Sequence, residues 1–125
     1  MEFREYYISN KEGKSNCVIR TFCKLFNKSY DDVFNELCNL ARALNSDNFN
    51  DVLVFETYLK DNGFVSLDYN EFNKVFDLKL NNGRYVVFCY DKKEYYHMFP
   101  IIDDVIYDKN DECLNLYVIK VYKEQ

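Results

Sequence analysis

The spacing of the hydrophobic positions changes near residue 83. Before it, apolar residues recur every three or four positions, as Val33, Leu37, Leu40 and Leu44 do, which predicts amphipathic helices. After Asn81-Asn82-Gly83 the apolar runs become short and rich in Val, Tyr and Phe, which predicts strands. We therefore predict an α+β fold, with N-terminal helices packed on one face of a C-terminal antiparallel sheet.

Turn and capping residues give the expected limits of these elements. Ser15 and Asn16 are candidate caps for the first helix, Ser29 caps the second, and Asn62-Gly63 ends the third. The predicted helices cover about residues 17–26, 30–44 and 51–61, with a short helix at 70–76. The predicted strands cover residues 84–90, 95–102, 105–108 and 114–122, with an extended strand or arm at 1–12 and a short strand at 64–68.

Length and composition fit a single domain spanning residues 1–125. A 48% share of hydrophobic residues is enough for one core. The net charge of −5 provides no basic patch for a nucleic acid duplex. The apolar runs are too short for a membrane span, and no signal peptide is visible. We expect a cytoplasmic protein, either in its own cell or in a cell hosting a mobile element, with no nucleic acid or membrane partner.

The cysteines and the single histidine limit the cofactor chemistry. Five cysteines at irregular spacing argue against a disulfide scaffold. Because there is no Cys-x-x-Cys pair and only one histidine, we expect no metal and no cofactor. Cys23, Cys38 and Cys89 are expected to be shielded, whereas Cys113 is a candidate for exposure but does not lie at a helix start.

Cys17 differs from the other cysteines in its place on a helix. On a helical wheel it lies on the polar side with Arg20, Thr21 and Lys24, away from the apolar side that includes Phe22. It also begins the helix, where backbone N–H groups and the helix dipole favour an anion and lower the pKa of a thiol. The alternatives are an accidental surface cysteine and one covered by the N-terminal arm.

His97 is the only histidine and lies in a predicted strand. Alternation places it on the face of Tyr95 and Phe99. If Asp103-Asp104 forms the following turn, Asp108 and Asn110 point to the same face as His97, and either could reach its imidazole. The alternative is a strand histidine whose polar atoms are satisfied by water or a tyrosine hydroxyl.

The two segments that carry these residues resemble a known family. Residues 15–20 read Ser-Asn-Cys-Val-Ile-Arg, and residues 97–108 begin with His and end with Val-Ile-Tyr-Asp. This order of a helix-initiating cysteine, a histidine strand and a carboxylate strand is similar to that of the small papain-like cysteine peptidases of bacteria and their phages. The resemblance covers roughly residues 15–28 and 84–108, and the helices between them match only in kind.

The resemblance implies a papain-like fold and a role for each residue. Cys17 would be the nucleophile, His97 the general base and Asp108 the residue that orients His97. The family usually has a glutamine several residues before the cysteine as an oxyanion donor, but the only glutamine here is Gln125. Asn10 or Asn16 would have to donate in its place, together with the Cys17 backbone N–H.

Two functions follow from these observations. The first is a thiol hydrolase or peptidase that acts on an amide, isopeptide or thioester bond of a protein or peptide substrate. The alternative is a non-catalytic binding or inhibitor protein of a mobile element that caps a host protein. In that case exposed aromatic residues would make the contacts. The candidates are Tyr6, Tyr7, Tyr95 and Tyr96.

Overall fold

The computed structural model describes residues 1–8, 16–68 and 73–125. Three helices come first among the longer elements, and strands dominate the second half, so the predicted α+β class is confirmed. The helices are α1 (Cys17–Phe26), α2 (Tyr30–Ala43) and α3 (Val52–Asp61), and the strands are β1 (Glu2–Glu5), β2 (Phe64–Leu67), β3 (Arg84–Tyr90), β4 (Tyr96–Ile102), β5 (Val105–Asp108) and β6 (Tyr117–Glu124).

The six strands form one mixed sheet in the order β1-β5-β4-β3-β6-β2. The prediction of a C-terminal antiparallel sheet of about four strands was wrong in two respects. The sheet includes β1 from the start of the chain and β2 after α3, and β1 pairs parallel with β5. β1 pairs along the edge of β5, and none of its four residues is fully buried. The sequence of β1 therefore has no hydrophobic pattern that would predict its pairing with β5.

The first helix has the limits and the apolar side that the sequence predicts. Asn27, in the left-handed region at φ 53°, ends α1. Ser29 caps α2 by accepting a hydrogen bond from the Asp32 backbone N–H at 3.1 Å. α1 packs against β4, and Phe22 reaches α3 with its ring centroid 4.7 Å from that of Tyr58. These contacts fix α1, and therefore its N-terminal tip, relative to the sheet.

The sheet carries apolar residues on both faces. Val86 and Met98 contribute to the core shared with the helices. The opposite face includes Val87 and Phe99 and packs against residues of the connecting segments, among them Cys113. These segments include two short 3-10 turns, Val75–Asp77 and Asp111–Asn115. The short helix predicted over residues 70–76 lies partly outside the described residues.

The side chains of β6 do not alternate regularly between the two faces of the sheet. Phe88 pairs with Lys120 and Cys89 with Val118, so a bulge inserts one residue, Ile119, into β6. After the bulge, Val118 and Val121 belong to the same apolar cluster, although simple alternation puts them on opposite faces. The strand therefore cannot be assigned to faces by period-two counting along its whole length.

The turn between β4 and β5 has the predicted position. Asp103 and Asp104 both have positive φ values, 48° and 66°, as a two-residue hairpin turn of type I′ requires. Ile102 pairs with Val105, as predicted from the sequence. Continuing this register along both strands brings Asp108 opposite Phe99 and diagonal to the residue two positions earlier on β4.

Candidate active site

Cys17 lies at the N-terminal tip of α1 and is partly exposed. It lines a cleft of about 1000 Å³ together with His97 and the preceding residue, Asn16. Thr21 donates a side-chain hydrogen bond to the Cys17 carbonyl oxygen at 2.7 Å, one turn further along the helix. The thiol is therefore carried on an ordered first turn and faces a space that a ligand can enter.

His97 comes from the part of β4 that extends beyond its pairing with β5. The described β4–β5 pairs are Ile101 with Ile106 and Ile102 with Val105. His97 lies in an aromatic row, with its ring centroid 5.7 Å from that of Tyr95 and 6.0 Å from that of Phe99. These contacts confirm the face that alternation predicts for the imidazole.

Asp108 contacts the imidazole from the neighbouring strand. Its Oδ2 lies 2.5 Å from Nε2 of His97, and both side chains are buried. The Tyr95 hydroxyl lies 3.2 Å from the other ring nitrogen, Nδ1. Because Asp108 engages Nε2, the hydrogen bond between His97 and Cys17 uses Nδ1, which the Tyr95 hydroxyl also approaches.

Cys17 and His97 are hydrogen-bonded and shift each other's pKa. Burial raises the pKa of Cys17, but the hydrogen bond and charge of His97, the Met98 backbone N–H and the Arg20 charge hold it below its ordinary value. Burial lowers the pKa of His97, but hydrogen bonds and charges from Asp108 and Cys17 raise it to about 9. Both shifts favour a thiolate next to an imidazolium.

Arg20 completes the buried polar cluster, although sequence reasoning gave it no role in the site. The helical wheel places it and Thr21 on the polar side of α1, and both are buried. Arg20 donates from Nη2 to Oδ1 of Asp108 at 2.8 Å and from Nη1 to Oδ1 of Asn16 at 2.7 Å. A wheel shows which residues are polar, but it cannot show that a buried carboxylate faces the polar side.

The charges of the cluster are balanced. Arg20 and Asp108 form one buried ion pair, and a Cys17 thiolate with a His97 imidazolium would form a second. Burial raises the pKa of Asp108, but the hydrogen bond and charge of His97, the Lys109 backbone N–H and the Arg20 charge lower it. The carboxylate therefore stays ionised, and moving a proton between Cys17 and His97 leaves the net charge of the cluster unchanged.

The remaining predicted site residues have different outcomes. Asn10 lies outside the described residues. Asn16 is buried beside Cys17 and contacts Arg20. Asn110, the substitute for Asp108 under another register, instead accepts a hydrogen bond from the Glu112 backbone N–H at 3.0 Å and caps a 3-10 turn. The structure thus brings Cys17, His97, Asp108 and Asn16 to one cleft.

The other cysteines have surroundings unlike those of Cys17. Burial raises the pKa of Cys23 to about 11 and also raises the pKa values of Cys89 and Cys113. Cys113 is 2% exposed, so its expected exposure was wrong, because the 3-10 turn that contains it packs against the sheet. Cys38 is partly exposed rather than shielded and lies on α2.

Within residues 1–8, 16–68 and 73–125, no three His, Cys, Asp or Glu side chains come together in a way that could hold a metal ion. None of the helices in these ranges has both the length and the apolar character needed to cross a membrane. Comparison of the chain with family models, curated proteins and solved structures finds no match.

Proposed function

We propose that the protein is a papain-like thiol hydrolase that acts on an amide, isopeptide or thioester bond of a protein or peptide. The observation that carries the proposal is the chain of contacts from Cys17 through His97 to Asp108 at the wall of an open cleft. A nucleophile, a base and an orienting group in hydrogen-bond contact are what covalent acyl transfer requires. The order of their elements, helix tip and then two adjacent strands, supports the papain-like assignment.

The first half of the reaction forms an acyl-enzyme. The Cys17 thiolate attacks the substrate carbonyl carbon, and the electron pair of the C=O bond moves onto the carbonyl oxygen. As the tetrahedral intermediate collapses, the bond to the leaving amine or thiol breaks, and His97 gives its proton to the leaving atom. A thioester of Cys17 and a neutral His97 remain, with Asp108 still hydrogen-bonded to the ring.

The second half of the reaction releases the acyl group. A water molecule gives a proton to neutral His97 as its oxygen attacks the thioester carbon, and the bond from carbon to sulfur breaks. The products are a carboxylic acid and the Cys17 thiolate, again next to a His97 imidazolium. In both halves the oxyanion would be stabilised by the Cys17 backbone N–H and the side-chain NH2 of Asn16, which lies beside Cys17 in the cleft wall.

The exposed residues around the cleft fit a peptide or protein substrate. Val52, Tyr95 and Tyr96 line the cleft, and each is about half exposed. The Tyr96 ring stacks on Phe88, with centroids 5.8 Å apart, which holds it in place at the surface. Rigid aromatic and aliphatic surfaces beside a nucleophile provide contacts for neighbouring residues of a polypeptide.

The same exposed aromatics support the second candidate function, a non-catalytic protein that caps a host protein in the cytoplasm of a phage-infected cell. Tyr7, Tyr95 and Tyr96 are all more than half exposed, whereas Tyr6 is partly buried. A binding protein would need these side chains but not the thiol. The two functions therefore differ in whether Cys17 is required.

Acylation by 4-nitrophenyl acetate tests the hydrolase directly. The purified protein should release 4-nitrophenol in a burst and carry an acetyl group on Cys17, detected by peptide mass spectrometry. Cys17→Ser should lower the burst by at least about 10³-fold, because the hydroxyl is a far weaker nucleophile at neutral pH. Cys38→Ser is the matched control, since Cys38 is also partly exposed, and it should keep the full burst.

Two results would reject the hydrolase. One is a burst equal in the parent protein and Cys17→Ser, and the other is an acetyl group found mainly on Cys38. The binding function would then be favoured if Tyr95→Ala and Tyr96→Ala abolish the biological effect while Cys17→Ser retains it.

A further inference from the structure

We propose that Arg20 is a positioning residue that holds Asn16 and Asp108 with a single guanidinium and thereby makes the Asn16 amide NH2 an oxyanion donor. This inference rests on the proposed hydrolase function. It adds a residue that contacts two parts of the site at once, the oxyanion donor Asn16 and the carboxylate of Asp108 that orients the histidine.

The geometry around Arg20 carries the proposal. The side chain is 4% exposed, and its two Nη atoms have different partners, Asn16 at 2.7 Å and Asp108 at 2.8 Å. A guanidinium is planar and rigid, so binding both partners fixes the distance and angle between them. Asn16 lies one helical turn before Arg20, whereas Asp108 lies 88 residues further along the chain.

The contact with Arg20 also determines which atom of the Asn16 side-chain amide is the oxygen and which is the nitrogen. A guanidinium has donors but no acceptor, so the atom 2.7 Å from Nη1 has to be the amide oxygen. The other end of the side chain is then the NH2 group, which only donates. Because Asn16 precedes Cys17 and lines the same cleft, a donor at this position can serve a carbonyl oxygen held over the thiol.

Arg20 constrains Asp108 in a complementary way. It occupies Oδ1, together with the Lys109 backbone N–H at 2.9 Å, and leaves Oδ2 to His97. The carboxylate therefore cannot rotate without breaking contacts at both oxygens. One cation thus fixes both the imidazole partner and the oxyanion donor, and removing it should disturb both together.

Two reactions of the same thiol separate these effects. Acylation by 4-nitrophenyl acetate passes through an oxyanion, whereas alkylation by iodoacetamide displaces iodide and forms none. A lost oxyanion donor therefore lowers acylation but not alkylation. Loss of the thiolate–imidazolium pair lowers both reactions at acidic pH.

The experiment measures both rates as a function of pH for the full chain, Asn16→Ala, Arg20→Lys and Arg20→Met, with folding checked by circular dichroism. Asn16→Ala should lower acylation by about 10²- to 10³-fold and leave alkylation near the parent rate. Arg20→Met should lower acylation at least as much and move the alkylation profile to higher pH. Arg20→Lys keeps the positive charge but lacks the planar guanidinium that binds two partners. It should therefore keep the parental alkylation profile but not the parental rate of acylation.

The outcomes separate this inference from the proposed function. If the acylation rate of the parent protein does not exceed that of Cys17→Ser, both the hydrolase function and this inference are overturned. If the parent acylates but Arg20→Lys, or a folded Arg20→Met, keeps the parental ratio of acylation to alkylation, the inference alone is overturned. Should Arg20→Met fail to fold, Arg20→Lys and Asn16→Ala decide the result.

Discussion

Two faces of α1 are both buried but differ in what they bury. On one face, Val18, Phe22 and Leu25 pack into the core shared by the helices and the sheet. On the other face, Arg20 and Thr21 are buried, with Asn16 just before the helix. The first arrangement is expected for a helix packed on a sheet, whereas the second needs a hydrogen-bond partner for each polar group.

This difference separates stability from chemistry within ten residues. Burying the apolar face removes hydrocarbon from water and stabilises the fold. Burying Arg20 with Asp108 carries a large desolvation cost, which the contacts of Arg20 with Asn16 at 2.7 Å and with Asp108 at 2.8 Å offset only in part. We infer that the polar face is maintained for the reaction at Cys17, and that changes on the two faces should have different consequences.

Replacing His97 should have the largest effect on chemistry. His97→Gln removes the proton carrier, so acylation of Cys17 by 4-nitrophenyl acetate should fall by about 10²- to 10⁴-fold. Ile101→Val changes a side chain of the same strand that packs in the core away from the imidazole, and it should keep the parental rate. Stopped-flow release of 4-nitrophenol measures both variants. Equal rates for His97→Gln and the parent would remove the base from the mechanism.

Truncation on the apolar face should change stability alone. Phe22 is fully buried and contacts the rings of Phe26 and Tyr58, so Phe22→Ala should lower the free energy of unfolding by about 3–5 kcal/mol. Urea denaturation measures this loss. In the absence of urea, the pH profile of Cys17 alkylation should keep its midpoint. A shifted midpoint would mean that the two faces of α1 are not independent.

The Arg20–Asp108 pair should show strong coupling. Asp108→Leu alone leaves the Arg20 charge buried without its carboxylate and should lower the free energy of unfolding by about 3–5 kcal/mol. Adding Arg20→Met removes the unpaired charge, so the double variant should regain part of this loss. A double-mutant cycle in urea should therefore give a coupling energy of about 1–3 kcal/mol. Additive effects would contradict the buried ion pair.

The smallest expected effect is the pH dependence of stability due to His97. Its pKa is about 9 in the folded protein and 6.5 ordinarily, so its stabilising contribution is complete below pH 6.5 and is lost as pH rises through 9. The free energy of unfolding of the parent minus that of His97→Gln should fall across this interval. In a Cys17→Ser background the fall should end at lower pH, because the hydrogen bond and charge of Cys17 are absent. A difference that does not change with pH would contradict the raised pKa.

The sequence was sufficient to predict the local elements and to select Cys17 and His97 as residues of the site. The limits of α1 and the pairing of Ile102 with Val105 follow from local patterns and a short turn. Cys17 and His97 could be selected because one begins a helix on its polar side and the other is the only histidine. These features depend on neighbours within a few residues, which is the range over which sequence patterns are informative.

Long-range contacts account for what the sequence did not reveal. The burial of Arg20 depends on Asp108, a partner 88 residues away, and the parallel pairing of β1 depends on the edge of β5. The β6 bulge at Ile119 breaks a periodicity that is otherwise visible. In each case the local pattern fits more than one arrangement, and tertiary structure selects among them.

The pH dependence of Cys17 alkylation tests the central claim most directly. Iodoacetamide rates at Cys17, followed by mass spectrometry from about pH 4 to 10, should show appreciable reaction well below the ordinary thiol pKa of about 8.5. In His97→Gln this acidic limb should disappear and the profile should move toward that of an ordinary thiol. A parent profile that already follows an ordinary thiol, unchanged by His97→Gln, would contradict the thiolate–imidazolium pair and the hydrolase that depends on it.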